Sequence, residues 1–273
     1  MSKDLQIVRL VLDRRELIRV AARQRLPYGV DDGYLLHAGL AQLFSKDSAP
    51  AKVPFFSFAV DDTNPHAQAD RDRVYLLAYS PVGEAALNAE MGPSRGAMVH
   101  ACATVAVPAM TEGTRARFRA RVCPVVRTKR VGERPLRVNN KGRTVSREID
   151  AWLAERLASW QDEPPRDEAF PFERRGREWL DRERVYTAWL GRELARHHGG
   201  VLEAGTRMES FERQVVHRGD SPKVERRGTM QRPNVVLEGT LRVADPEGFG
   251  ALLARGIGRH RAFGFGMLLL RPA

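Results

Sequence analysis

The sequence predicts an α+β protein made of two consecutive β-α-β-β-α-β units, the second enlarged by a helical insertion, and three observations lead there. Apolar and polar residues alternate over short runs such as 5–12, 73–80 and 235–243, the period of half-buried strands. Segments with helical spacing of leucine and alanine separate those runs, and the same order begins again near Thr114. At 273 residues the chain is long enough to give each unit its own core.

Residues 5–12 read as the first strand and 14–25 as a basic connection. A helix follows over 31–44, opened by Asp31 and Asp32, whose charges suit the positive end of a helix dipole. Strands at 53–60 and 73–80 flank a polar turn containing Asn64-Pro65; a short helix over 82–90 and a strand over 96–107 complete a unit spanning 1–109. This order is ferredoxin-like. The second unit, 110–273, repeats it with strands at 114–127, 201–219, 235–243 and 265–270, and a helix from Asp245-Pro246 to Arg255. Its irregular part is 146–198, interrupted at Glu163-Pro164-Pro165 and Pro171, where one crossover helix would suffice. We read that stretch as an insertion outside the core: Arg174, Arg175, Arg177, Arg182, Arg184 and Arg192 suit RNA or a neighbouring subunit, and Trp152, Trp160, Trp179 and Trp189 suit internal packing.

Lys and Arg outnumber Asp and Glu by 45 to 34, a formal charge of +11, and arginine is much the commoner cation. Planar guanidinium groups pair with phosphate and stack on bases, so the bias points to nucleic acid rather than to a membrane surface. Cys102 and Cys123 are too few for a zinc cluster or a disulfide framework, and no His, Cys or carboxylate group has metal-ligand spacing. No cofactor or metal is expected. With no apolar run near the roughly eighteen residues of a membrane span, the expectation is a soluble cytoplasmic protein without a membrane partner.

Four places carry chemistry. In the strand that opens the second unit, Arg115, Arg117, Arg119 and Arg121 alternate with Ala116, Phe118, Ala120 and Val122. A side-chain period of two then gives one apolar face and one row of arginines about 6 to 7 Å apart, close to a phosphate repeat. Lys129 and Arg130, with Arg134 and Arg137 beyond them, extend the positive region. Near the C-terminal end, Gly256-Ile-Gly-Arg-His-Arg-Ala-Phe-Gly-Phe-Gly266 brackets Arg259, His260 and Arg261 with glycines that let a backbone approach another molecule. Position 261 is Arg, so the G-x-G-x-x-G dinucleotide fingerprint fails, and a phosphate polymer is the better partner. In the helix over 31–44, Leu36, Leu40 and Leu43 form the apolar stripe; His37 sits at its edge with Tyr34 one turn earlier, an imidazole and a phenol placed for proton exchange. Arg242 faces outward from the strand over 235–243.

The segments Tyr34-Leu-Leu-His37, Arg117-Phe-Arg-Ala-Arg121-Val-Cys-Pro124, Val236-Leu-Glu-Gly-Thr-Leu241 and the glycine-rich end up to Leu270 together resemble the CasE (Cse3) family of CRISPR repeat-processing endoribonucleases, within the RAMP superfamily. The resemblance runs in order over nearly the whole chain. It implies paired ferredoxin-like domains that bind a CRISPR repeat RNA hairpin, cleave at its base without a metal, and stay on the mature crRNA beside other Cas proteins of a class 1 effector complex. It places His37 on the family's proton-transferring histidine and Tyr34 on its tyrosine, for a 2′-hydroxyl attack that leaves a 2′,3′-cyclic phosphate. Arg23, Arg25 and Arg242 are then candidates for stabilising the phosphorane. Two departures stand out: Val122-Cys123-Pro124 replaces the family's Ala-Asn-Pro, and the helical insertion is long. Both resemble relatives in type IV CRISPR systems, which implies three alternatives: arginine-based cleavage, very slow single-turnover cleavage, or a subunit that binds the crRNA hairpin without cutting it.

Overall fold

The computed structural model describes residues 5–24, 26, 32–45, 53–61, 64–131, 134–135, 142–159, 181–217 and 229–273. In the first unit the elements run β1 (Gln6–Asp13), α1 (Arg14–Arg23), α2 (Asp32–Leu43), β2 (Phe58–Val60), α3 (Pro65–Ala69), β3 (Arg73–Ser80), α4 (Glu84–Glu90), α5 (Arg95–Met98) and β4 (Val99–Ala106). The strands pair antiparallel in the order β2-β3-β1-β4, the ferredoxin-like arrangement. Val8, Leu10 and Leu12 of β1 and Val74, Leu76 and Ala78 of β3 turn one face of this sheet onto Leu36, Leu40 and Leu43 of α2.

The basic connection expected over 14–25 is a helix over most of its length. Asp13 caps α1 by accepting from the Glu16 amide at 2.9 Å, and Leu17, Val20 and Ala21 enter the core. Those three residues already have i, i+3, i+4 spacing, but the arginines between them obscure it. Gly39 lets α2 lie so close to α1 that a Cβ there would overlap Leu17.

In the second unit β5 (Arg115–Val122) and β6 (Val125–Thr128) are two strands where one was expected, separated at Cys123-Pro124. Then come β7 (Arg130–Val131), β8 (Arg134–Pro135), β9 (Arg147–Asp150), α6 (Ala151–Ser159), α7 (Arg182–Arg196), β10 (Gly200–Leu202), β11 (Arg207–His217), β12 (Thr229–Val243), α8 (Pro246–Arg255) and β13 (Leu268–Pro272). The main sheet has the order β10-β12-β5-β13, with β11 also on β12. It repeats the first unit's topology, because β10 and β11 share the long β12 at 241–243 and 229–238.

The stretch 146–198 is only partly an insertion. α7 buries Val185, Tyr186, Trp189, Leu190 and Leu194 in the second core and is its crossover helix. β9 pairs with β6, Ala151 is buried, and the Tyr186 hydroxyl donates to Asp150 at 3.1 Å. Replacing 147–177 with a flexible linker would therefore remove core packing. Trp160, Trp179, Arg174, Arg175, Arg177 and both proline interruptions fall outside the described residues.

The two units share one interface. Ala59 and Tyr79 of the first sheet pack into the second unit's core with Ile7 and Leu77, and the buried Tyr79 hydroxyl donates to the Leu268 carbonyl at 2.9 Å. This contact fixes α2 against the C-terminal glycine-rich loop. No helix among the described residues is long and apolar enough to cross a membrane.

Candidate active site

After α8 the chain turns at Gly256, whose φ of 75° is one that side-chain-bearing residues rarely adopt. A Cβ there would come within 2.6 Å of the buried Ser57 hydroxyl, so glycine is needed for space as well as for conformation. The loop then forms a single 3₁₀ turn, Arg261–Phe263, bounded by His260 and Gly264, both in the left-handed region. That turn rests on α2. The Phe263 ring stacks on Tyr34 with centroids 5.4 Å apart and meets the His37 ring at 4.6 Å, while Tyr34 and His37 are edge-on at 6.4 Å.

Tyr34 is buried; His37 is solvent-accessible at the seam. Atoms crowding the imidazole strip it of water and lower its pKa below the usual histidine value, and a hydrogen bond to the Ala262 backbone pulls partly back. His37 is thus neutral near pH 7, and a neutral imidazole has one ring nitrogen able to accept a proton. An acceptor nitrogen beside a phenol, at an accessible seam, suits removal of a hydroxyl proton.

Glu148 of β9 anchors the loop from behind. Its carboxylate accepts from Arg259 at 2.9 Å and from the buried Arg232 at 2.9 Å, and lies 3.1 Å from the His260 ring. Burial alone would raise the Glu148 pKa, yet the charges of His260, Arg232 and Arg259 and the hydrogen bond outweigh it and hold the group below the usual carboxylate range. His260 is itself lowered, first by burial, against the pull of Glu148. Near pH 7 the permanent cations on Glu148 are therefore the two arginines.

The β5 row points outward as its alternation implies, but carboxylates from β11 and from the connection before it meet it. Arg115 pairs with Glu203 at 2.5 Å and Arg119 with Glu209 at 2.7 Å. Arg121 donates to Asn234 at 2.9 Å and Gln214 at 2.8 Å and lies over the Phe265 ring. Arg117 stands exposed between Thr240 and Arg271 on the neighbouring strands. Arg121 is the row member that reaches the loop, since a Cβ on Gly264 would lie 3.4 Å from its Nη1.

Arg242 pairs in register with Arg115, six residues along β5 from Arg121, hence roughly 20 Å from the loop end of the strand. The structure does not bring it to His37. Arg23 is exposed in the last turn of α1, Lys129 and Arg130 are exposed beyond β6, and Arg25 and Arg137 lie outside the described residues. Cys123 is buried with Val125 and Phe265, so the departure from Asn places an apolar group inside. Among the described residues no three His, Cys, Asp or Glu side chains gather to hold a metal.

Beside the loop opens a groove of about 930 Å³, and half of its six arginines, Arg127, Arg196 and Arg255, carry no functional signal in the sequence. Arg127 of β6, Arg192 and Arg196 of α7 and Arg255 of α8 join Arg259 and Arg261 around it, against Glu148 and Glu193. They come from four separate segments. In the chain, Arg259 and Arg261 belong to one loop motif and Arg192 and Arg196 have i, i+4 spacing, whereas Arg127 and Arg255 stand apart.

A family model described as CRISPR associated protein matches residues 7–272. Among solved structures, the chain is similar to the CRISPR endoribonuclease Cse3 bound to a 19-nucleotide RNA, at 20% identity and a TM-score of 0.54, covering 98% of this chain and 99% of that one. It is likewise similar to Thermus thermophilus Cse3 bound to an RNA representing a pre-cleavage complex, at 19% identity and a TM-score of 0.53, covering 98% and 100%. Both likenesses are of fold. Curated proteins gave no match.

Proposed function

The chain belongs to the CRISPR associated protein family, and on that premise we propose that it is an endoribonuclease that cuts CRISPR precursor RNA at the base of the repeat hairpin and stays bound to the mature crRNA in an effector complex. The observation that carries this reading is the seam where Phe263 holds Tyr34 and His37 together and Ala262 orients the imidazole.

His37, neutral near pH 7, accepts the proton of a ribose 2′-hydroxyl that Tyr34 orients. The 2′-oxygen then bonds to the adjacent phosphorus, and the bond from phosphorus to the 5′-oxygen breaks. The leaving oxygen takes a proton from the imidazolium or from water, giving a 2′,3′-cyclic phosphate and a free 5′-hydroxyl. Arg261, on the same loop and without a carboxylate partner among the described residues, stabilises the extra negative charge of the phosphorane. Nothing in this sequence of steps calls for a metal ion.

The test is incubation of the protein with a repeat hairpin RNA in excess EDTA, followed by analysis of the ends. A cyclic phosphate on the upstream fragment is expected. Loss of cleavage in EDTA, restored by magnesium, would overturn the mechanism while leaving the hairpin-binding reading standing.

A further inference from the structure

The groove beside the glycine-rich loop has more positive charge than its own carboxylates match. Glu193 takes Arg196 at 2.7 Å, Glu148 takes Arg259 at 2.9 Å, and Glu155 of α6 comes no nearer than 3.8 Å to Arg192. Arg255 and Arg261 have no carboxylate partner among the described residues; Arg261 donates instead to the Arg255 carbonyl at 2.7 Å, and the Arg255 guanidinium touches His197. Crowding of like charge shows in two of these groups. The pKa of Arg261 is lowered by burial and then by Arg255 and Arg259, and that of His197 by burial and then chiefly by Arg255. Cations held close without counter-charges cost stability when free and regain it on meeting a polyanion.

At the lip of the same groove is Phe56, 68% exposed. A lone exposed ring needs no explanation in general. Beside this concentration of guanidinium groups it supplies the second component of single-strand recognition, a flat surface on which a base stacks while the backbone follows the charge. Within a stem, paired bases hide their faces, so away from the terminal pair the ring serves unpaired nucleotides. The groove also leads to the seam, because Phe263 lines it and in turn contacts His37 at 4.6 Å.

We propose that this groove binds unpaired RNA flanking the hairpin, with phosphates on Arg192, Arg255 and Arg261 and one base on Phe56, and so leads the strand to the cleavage junction. This rests on the hairpin-cleaving reading above and extends it to the substrate outside the stem.

The test uses full-length protein and two RNAs, each carrying a 2′-deoxy nucleotide that blocks cleavage: a blunt hairpin, and the same hairpin with about eight unpaired nucleotides on one side or the other, a length within single-strand site sizes. Affinities are measured by fluorescence anisotropy. An extension on one side is expected to tighten binding about tenfold, the order of one stacked base. Phe56→Ala and the pair Arg192→Gln with Arg255→Gln should each remove most of that gain and leave blunt-hairpin affinity unchanged. Equal losses for both RNAs would mean that the stem occupies the groove, and no gain from either extension would mean that the groove serves solvent; each overturns the proposal. If the wild-type protein binds no hairpin, the parent reading fails. The groove is then judged on the unpaired octamer alone, which must bind the wild type more tightly than Phe56→Ala.

Discussion

The outer face of β5 and the glycine-rich loop are both arginine-rich, and they treat their charge in opposite ways. On β5, Arg115 finds a carboxylate just after β10 and Arg119 one on β11, and Arg121 is taken up by two side-chain amides. At the loop, one carboxylate, Glu148, serves Arg259, Arg232 and His260 together, and Arg255 and Arg261 go without one among the described residues. Exposed ion pairs of the first kind contribute little to stability and leave little field for a distant phosphate. The second arrangement leaves a surplus. A row of like residues in one strand is thus a weaker sign of a binding surface than it looks, because partners across a sheet lie far away in sequence.

The sharpest way to break this comparison is His37→Ala. If the chemistry lies at the loop side, cleavage should fall by about 10² or more, as for loss of a general acid or base, with hairpin affinity nearly unchanged. Arg242→Ala, altering the far end of the β5 face, should cleave at close to the normal rate. The reverse result would move catalysis to the arginine face.

The pH profile tests the same seam. The folded pKa of His37 is lowered, so the imidazole is neutral and able to accept a proton above that value. Single-turnover cleavage should be flat around pH 7 and fall with decreasing pH, with the midpoint below the ordinary histidine value of about 6.5. A midpoint above it would show that the imidazole gains a counter-charge absent from this structure.

Salt dependence separates the two arginine sets directly. Removing one guanidinium that neutralises a phosphate should lower the slope of log affinity against log salt by about 0.7 to 0.9, so Arg255→Gln with Arg261→Gln should lower it by about 1.5 on a hairpin that carries its unpaired flank. Arg115→Gln with Arg119→Gln should lower it by less than half as much, since those guanidiniums are already engaged. Equal decreases would show that RNA displaces Glu203 and Glu209, and the contrast between the two regions would fail.

Much of this was legible in the chain, for physical reasons that also mark where legibility stops. Strand alternation located β1, β3, β5 and β12, and the Leu36, Leu40 and Leu43 stripe located α2, because burial on one side leaves a period in the sequence. α1 was missed since its three apolar residues are outnumbered by charge, and α7 was misread as peripheral although Tyr186 and Leu190 are among the most buried side chains of the second unit. Tyr34 and His37 were found within one helix turn of each other. Phe263, which holds them, comes from the opposite end of the chain. The groove arginines share no single local pattern, being brought together by β6, α7, α8 and the loop.

The smallest expected effect concerns Glu148, the single carboxylate on which the loop side depends. Its folded pKa is depressed, so its contribution to stability is fully present above the unfolded carboxylate pKa of about 4.3 and is lost as pH falls through the lower folded value. Glu148→Gln keeps the shape and some hydrogen bonds but removes the charge that Arg232 and Arg259 face. Unfolding monitored from pH 7 down to pH 3 should show the variant less stable at neutral pH and the two proteins converging as the wild-type carboxylate is protonated. The loop consequence is separable from the fold. With Arg259 and His260 released, the Ala262 carbonyl is held less firmly against His37, and cleavage should slow several-fold at constant hairpin affinity. Glu203→Gln, the matching change on the β5 face, should leave cleavage untouched, because Arg115 orients nothing at the seam. A rate loss common to both variants would mean that general destabilisation is being read, and that the loop has no special need of its carboxylate.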